Sequence, residues 1–330
     1  MREERTSDRK PCPEEENGNF RPEEREGGEN GIANALPPED GAPGKREKDD
    51  GRKLSGLERS AKTDTKGMIF TVLLYAVGAV SVPYAKLAAW LGGGAELEMW
   101  LGFLAKTLLS VLPFYLVVQF SMKGMFGVVG KWKSGVLLSL PAFVVAIDNF
   151  PIVPQIMGDS TINFDFSQFL PYFLYCLSIG LLEESVFRGN IFPLMLYAFP
   201  RNKKGTFFAV VASSGVFGAM HLLNLFGGFS PAVFLQVGYS FLIGCICALT
   251  MLFTGNLFFA VGVHFLFDLG GFMYDRFGSG TLWTTENILF TAVVSVICAV
   301  LLVLFFFKRD YAEVYRKWNI EKKYPSEVKK

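Results

Sequence analysis

Apolar residues run in blocks of roughly 20 from residue 68 to residue 307, the length needed to cross the hydrocarbon core of a bilayer. Short polar or basic breaks separate the blocks. Eight are predicted as membrane helices, over 68–90, 97–120, 135–153, 166–199, 206–225, 231–254, 256–274 and 287–307. The third is short and contains Asp148. The fourth is too long for one simple span and carries charges midway. The break between the sixth and seventh, Thr254-Gly255-Asn256, is uncharged and very short, so these two spans form a helical hairpin. The pattern predicts an all-α polytopic membrane bundle of about eight helices.

The first 66 residues read differently. They hold 14 Lys and Arg and 17 Asp and Glu, with many Gly, Pro and Asn. Such a segment buries too little apolar surface to offset its ordering entropy, which predicts a disordered, charged cytoplasmic tail. The net charge of +1 averages these two unlike regions and says little about partners. Of the five cysteines, Cys12 lies in the tail, while Cys176, Cys245, Cys247 and Cys298 lie in apolar runs. None shows a metal-ligand or disulfide spacing, and they read as small apolar residues.

Orientation follows from the basic residues of the connections. Lys123, Lys131 and Lys133 lie between spans two and three, and Arg201, Lys203 and Lys204 between four and five. Lys308 and Arg309 follow the last span. The alternate connections contain only Arg276. This alternation places both termini in the cytoplasm.

An ionisable residue in mid-membrane costs roughly 3 kcal/mol on insertion scales, so each needs a reason to be there. Three groups stand out. Within the fourth block lies Glu183-Glu184-Ser-Val-Phe-Arg188. Glu184 and Arg188 are four apart on one helical face and can pair. Glu183 points about 100° away and has no local cation. An unneutralised carboxylate in such a site suits general-base work. Phe217-Gly-Ala-Met-His221 lies in the fifth block and His264-Phe-Leu-Phe-Asp268 in the seventh. These are the only two histidines of the chain. Each could be a packed core residue, and the adjacent glutamates could be an Arg–Glu clasp facing water. Together they point to a site.

Two chemistries can use this set. Glu183 and His221 can activate water for attack on a peptide carbonyl, with His264 donating to the oxyanion. Alternatively His221, His264 and Glu183 can hold zinc and lower the pKa of a bound water. No HExxH helix is present. Lesser polar residues are Asp148-Asn149, read as the end of a span, and Asn224, able to orient His221 or cap its helix. Lys86 and Lys106 either snorkel to the surface or face the interior.

The three groups, in this order, resemble the CPBP family (CAAX protease and bacteriocin-processing, or Abi), whose pattern is EExxxR, FxxxH and HxxxN or HxxxD on successive helices. The resemblance covers about 165–275 and implies an intramembrane endopeptidase acting on membrane-associated peptides or protein C-termini. It implies catalytic roles for Glu183, His221, His264 and Asp268, with Glu184, Arg188 and Phe217 in support. The glutamate-dependent route without metal is preferred, and zinc on His221, His264 and Glu183 is the second option. Asp268 stands where some members have Asn, whose amide can donate to an oxyanion. Asp donates only when protonated.

The chain thus divides into a tail (1–66), peripheral helices (67–160), a catalytic core (161–275) and a last helix with a basic tail (276–330). Its partners are a peptide or protein substrate and the lipid bilayer, with no nucleic-acid signature. The expected setting is the plasma membrane of a bacterium. A non-catalytic peptide-binding or immunity protein of the same fold is one alternative. A proton-coupled transporter using the same polar residues is another.

Overall fold

The computed structural model describes residues 56–163 and 166–320, with side chains from residue 65 onward. Fourteen helices occur among them: α1 (Gly56–Val80), α2 (Tyr84–Trp90), α3 (Ala95–Gln119), α4 (Trp132–Leu138), α5 (Leu140–Asp148), α6 (Ile152–Met157), α7 (Phe166–Val186), α8 (Phe192–Ala198), α9 (Lys203–Met220), α10 (Ala232–Thr254), α11 (Leu257–Gly271), α12 (Met273–Phe277), α13 (Thr285–Lys308) and α14 (Ala312–Lys317). Two short strands, β1 (Ser160–Ile162) and β2 (Gly278–Gly280), pair antiparallel. Seven helical stretches among the described residues are long and apolar enough to cross a membrane. The protein is an integral membrane helix bundle. The expected disorder of the tail lies outside the described residues for 1–55, whereas residues 56–66 begin α1.

The block expected as the third span is not one helix. It breaks at Ser139, whose hydroxyl turns back to the Gly135 carbonyl at 2.8 Å. Pro141 then opens α5. Proline has no N–H to bond the carbonyl four residues back, so one helix ends and another starts. The two halves still lie against the bundle, α4 on α10 and α5 on α11 and α13. Asp148 ends α5, as expected, and Asn149 donates to the Phe267 carbonyl of α11 at 2.7 Å.

The long fourth block is also interrupted. Pro193 cannot donate to the carbonyl of Gly189, and the chain widens into a π-helical turn over Phe187–Ile191. Asn190 fills the gap by donating to the Ser185 carbonyl at 2.8 Å and to the Pro113 carbonyl of α3 at 3.1 Å. The π turn therefore ties α7 to α3 and fixes the direction in which Arg188 leaves the helix.

The predicted hairpin is present. Gly255 ends α10 with φ of +73°, a left-handed conformation open to glycine at little cost. A Cβ there would also meet Val129 Cγ1 at 2.4 Å. Asn256 caps α11 by accepting from Phe258 N at 2.7 Å. The turn is buried in protein. Trp318 donates from Nε1 to the Gly255 carbonyl at 2.9 Å, and Val129 N donates to the Thr254 carbonyl at 3.1 Å. His264 can therefore stand few residues from the turn and still lie deep in the bundle.

The basic connections meet at one end of the molecule. Lys317 bonds the Val128 carbonyl, Lys203 the Phe307 carbonyl and Arg201 the Ile320 carbonyl. Arg309 reaches the Lys131 carbonyl at 3.3 Å. The segment after α13 folds back over this end, burying Val314, Tyr315, Trp318 and Ile320.

Candidate active site

The site forms where α7 and α11 cross. Gly180 permits the approach: a Cβ there would lie 3.2 Å from the Val261 carbonyl oxygen and 3.3 Å from Phe265 N. One turn further along α7, Glu184 faces α11. Its Oε1 accepts from Arg188 Nη1 at 2.9 Å, the pair expected from their spacing. The same oxygen lies 2.7 Å from His264 Nδ1. A carboxylate oxygen that also accepts from Arg188 is an acceptor, so Nδ1 carries the hydrogen.

This fixes His264 Nε2 toward two further carboxylates. Glu183 Oε2 lies 3.6 Å from it, and so does Asp268 Oδ2. Glu184 is fully buried, Asp268 is 11% exposed and Glu183 is 20% exposed. The adjacent glutamates thus have different environments. One is consumed in a buried clamp, and the other keeps an accessible oxygen.

Arg188 has only that one carboxylate bond among the described residues. Its Nε and Nη2 have no hydrogen-bond partner there. The guanidinium instead stacks 4.6 Å over the ring of Phe217. A glycine makes room for it on α10, since a Cβ on Gly244 would lie 2.9 Å from Nη2. Phe217 also meets the rings of His264 at 5.8 Å and His221 at 5.1 Å. It is the apolar partition around which the polar groups are arranged.

His221 stands apart from the cluster. α9 ends at Met220, and residues His221–Gly227 continue as a tighter 3-10 helix. The His221 Nδ1 lies 3.1 Å from the Phe217 carbonyl. A carbonyl only accepts, so Nδ1 donates and Nε2 is left as an acceptor. Among the described residues no hydrogen bond joins His221 to Glu183. Asn224 does not orient the ring, because its amide donates to Gln236 Oε1 at 2.7 Å.

The structure therefore gathers Glu183, Glu184, Arg188, His264 and Asp268 into one cluster, sets Phe217 across it and places His221 beyond Phe217. Two residues were missed by the motifs. Cys247 of α10 is buried beside Glu184 and His264, and Lys106 of α3 lies near Glu183. Cys247 carried no signal, since an apolar run hides a cysteine. Lys106 carried one, as a cation inside a span.

Among the described residues, the grouping whose possible ligand atoms lie within 4.8 Å of one another is Glu184, Cys247 and His264. It is not the expected His221, His264 and Glu183. The nearer Glu184 oxygen already accepts from Arg188 and His264, and Cys247 faces the Ala260 carbonyl at 3.6 Å. All three residues are buried.

A polytopic membrane bundle with a carboxylate–imidazole cluster enclosed between helices defines the class of this protein. Residues 165–270, about a third of the chain, match the family described as type II CAAX prenyl endopeptidase Rce1-like, a CPBP family. The match spans α7 to α11, the elements that carry the cluster. The family is one of peptidases. Comparison with curated proteins and with solved structures returned no match.

Proposed function

We propose that this protein hydrolyses peptide bonds of membrane-associated peptides or protein C-termini, with Glu183 as the general base and without a metal. The observation that carries the reading is the asymmetry of the two glutamates. Glu184 is held by Arg188 and His264, and Glu183 keeps an accessible carboxylate beside His264 Nε2.

Glu183 takes a proton from a water as the water oxygen attacks the scissile carbonyl. His221 orients the same water by accepting its second hydrogen at Nε2. The carbonyl oxygen becomes an oxyanion and needs a donor. His264 has Nδ1–H committed to Glu184, so Nε2 donates only when the ring is doubly protonated. Asp268 stabilises that cation at 3.6 Å. When the tetrahedral intermediate collapses, the C–N bond breaks and Glu183 returns its proton to the departing amine. Glu184 and Arg188 hold the ring in place.

The convergence of basic residues at one end supports placing that end, and with it both termini, on the cytoplasmic side of a bacterial plasma membrane. Purified protein in detergent, offered a peptide library with and without a chelator, tests the catalytic reading. Wild type cleaves in both conditions, and Glu183→Ala and His221→Ala do not. Cleavage abolished by chelator and restored by Zn²⁺ would instead assign the histidines to a metal. A peptide-binding or transport role predicts no cleavage at all.

A further inference from the structure

Away from the catalytic cluster, the end of α5 packs on the last turn of α11. Two glycines permit the approach. A Cβ on Gly270 would lie 2.8 Å from Phe150 N, and one on Gly271 would lie 2.6 Å from Asn149 Nδ2. The first turns of α13 lie against them, and a cavity of about 30 Å³ remains between the three helices. A water needs roughly 10–15 Å³, so there is room for a small ion with one water. Asp148, Asn149, Asn287 and Thr291 line the cavity, and the exposed Trp283 borders it.

Each of these four side chains offers an oxygen. Asp148 Oδ2 is buried with no hydrogen-bond partner among the described residues. No Lys or Arg among them forms an ion pair with Asp148. The Asn149 amide donates to the Phe267 carbonyl at 2.7 Å, and the Asn287 amide to the Leu282 carbonyl at 3.0 Å. A carbonyl only accepts, so in both residues the NH₂ is spent and the amide oxygen remains as an acceptor. Thr291 lies beside Asp148 and adds a hydroxyl oxygen.

A buried carboxylate oxygen without a partner is costly unless a proton, a water or a cation reaches it. One negative charge among neutral oxygens matches a monovalent cation. Calcium takes about 6–8 oxygen ligands, and magnesium keeps several waters for which this cavity is too small. No imidazole or thiol lines it, as most transition metals would require.

We propose that Asp148, Asn149, Asn287 and Thr291 bind a sodium ion, which braces α5 and α13 against the end of α11. Asn287 lies about 30 Å along α13 from Lys308, so the site is at the end away from the basic residues. Through Asn149 it reaches the Phe267 carbonyl, one residue from Asp268. The inference stands independently of the peptidase reading.

Thermal midpoints of purified full-length protein in detergent provide the test, with sodium chloride exchanged for N-methylglucamine chloride at constant ionic strength. The wild-type midpoint rises with the logarithm of the sodium concentration once the site begins to fill. Equilibrium dialysis with radioactive sodium reads the site directly. Wild type binds one ion per chain, Asp148→Asn binds none, and Thr291→Val, which keeps the carboxylate, binds several-fold more weakly. Should Asp148→Asn fail to fold, Thr291→Val alone decides. Midpoints that respond equally to sodium, potassium and N-methylglucamine overturn the proposal. So does sodium binding that is unchanged in the variants, which would put the ion elsewhere. A midpoint raised by calcium or magnesium but not by sodium overturns it as well.

Discussion

His264 gives its Nδ1 to Glu184 Oε1 at 2.7 Å, and Arg188 reaches that same oxygen at 2.9 Å. One buried carboxylate oxygen therefore joins the i,i+4 pair of α7 to the imidazole of α11. The other ring nitrogen has no choice but to face Glu183 and Asp268. The chemistry of the site follows from this clamp, and so do several expectations.

Removing Arg188 leaves the buried Glu184 charge with His264 as its one remaining partner among the described residues. Breaking a buried pair from one side costs about 3 kcal/mol or more. Arg188→Met should lower the thermal midpoint in detergent sharply. The double variant with Glu184→Gln should lose less than the sum of the two single changes, because the stranded charge is gone. A strictly additive double-mutant cycle would show that the pair does not couple.

Gly180 sets the spacing between α7 and α11. A larger side chain must push the helices apart or bend the neighbouring backbone, at a typical cost of about 1–3 kcal/mol. Gly180→Leu should be recovered as folded protein with turnover reduced at least tenfold, and Gly180→Ala should fall between it and wild type. Activity assays paired with near-UV circular dichroism would check the order. Unchanged turnover in Gly180→Leu would mean that the crossing does not position the site.

Asp268 supports the cationic His264 without touching the reacting carbonyl. Asp268→Asn keeps a polar group near Nε2, whereas His264→Ala removes the oxyanion donor. Losing one such donor typically costs about 10²–10³ in kcat. His264→Ala should show a loss of that order, and Asp268→Asn a smaller one. The reverse ranking in kcat would make Asp268 the acting group.

Much of this arrangement was legible in the chain. The spacing of Glu184 and Arg188 implied their pairing, because helix geometry alone brings such residues together. The Thr254-Gly255-Asn256 turn was legible because a glycine between two apolar runs leaves little alternative. Of the rest, one break had a local cause and the remainder depended on tertiary approach. The break at Ser139 followed from Pro141 inside an otherwise continuous apolar block. The orientation of His221 was not visible, since nothing in Phe217–His221 says that the α-helix tightens at Met220. The closeness of Lys106 to Glu183 needs α3 to lie along α7, which no motif records.

Trp318 lies far from the catalytic groups yet is fully buried and bonds the Gly255 carbonyl at 2.9 Å. It covers the turn from which α11 carries His264. Trp318→Ala should cost about 3–5 kcal/mol by cavity formation. Unfolding titrations in mixed micelles would measure it. A cost well under 1 kcal/mol would show that the terminal segment is not part of the folded unit.

The most direct measurement compares the two adjacent glutamates. Turnover and thermal midpoint are recorded side by side for Glu183→Gln and Glu184→Gln. Glu183→Gln should lose turnover with only a small change in midpoint, since its part-exposed carboxylate makes no contact closer than 3.6 Å to His264 Nε2. Glu184→Gln should lower the midpoint as the clamp on Arg188 and His264 weakens. An active Glu183→Gln protein would contradict the assignment of Glu183 as the base.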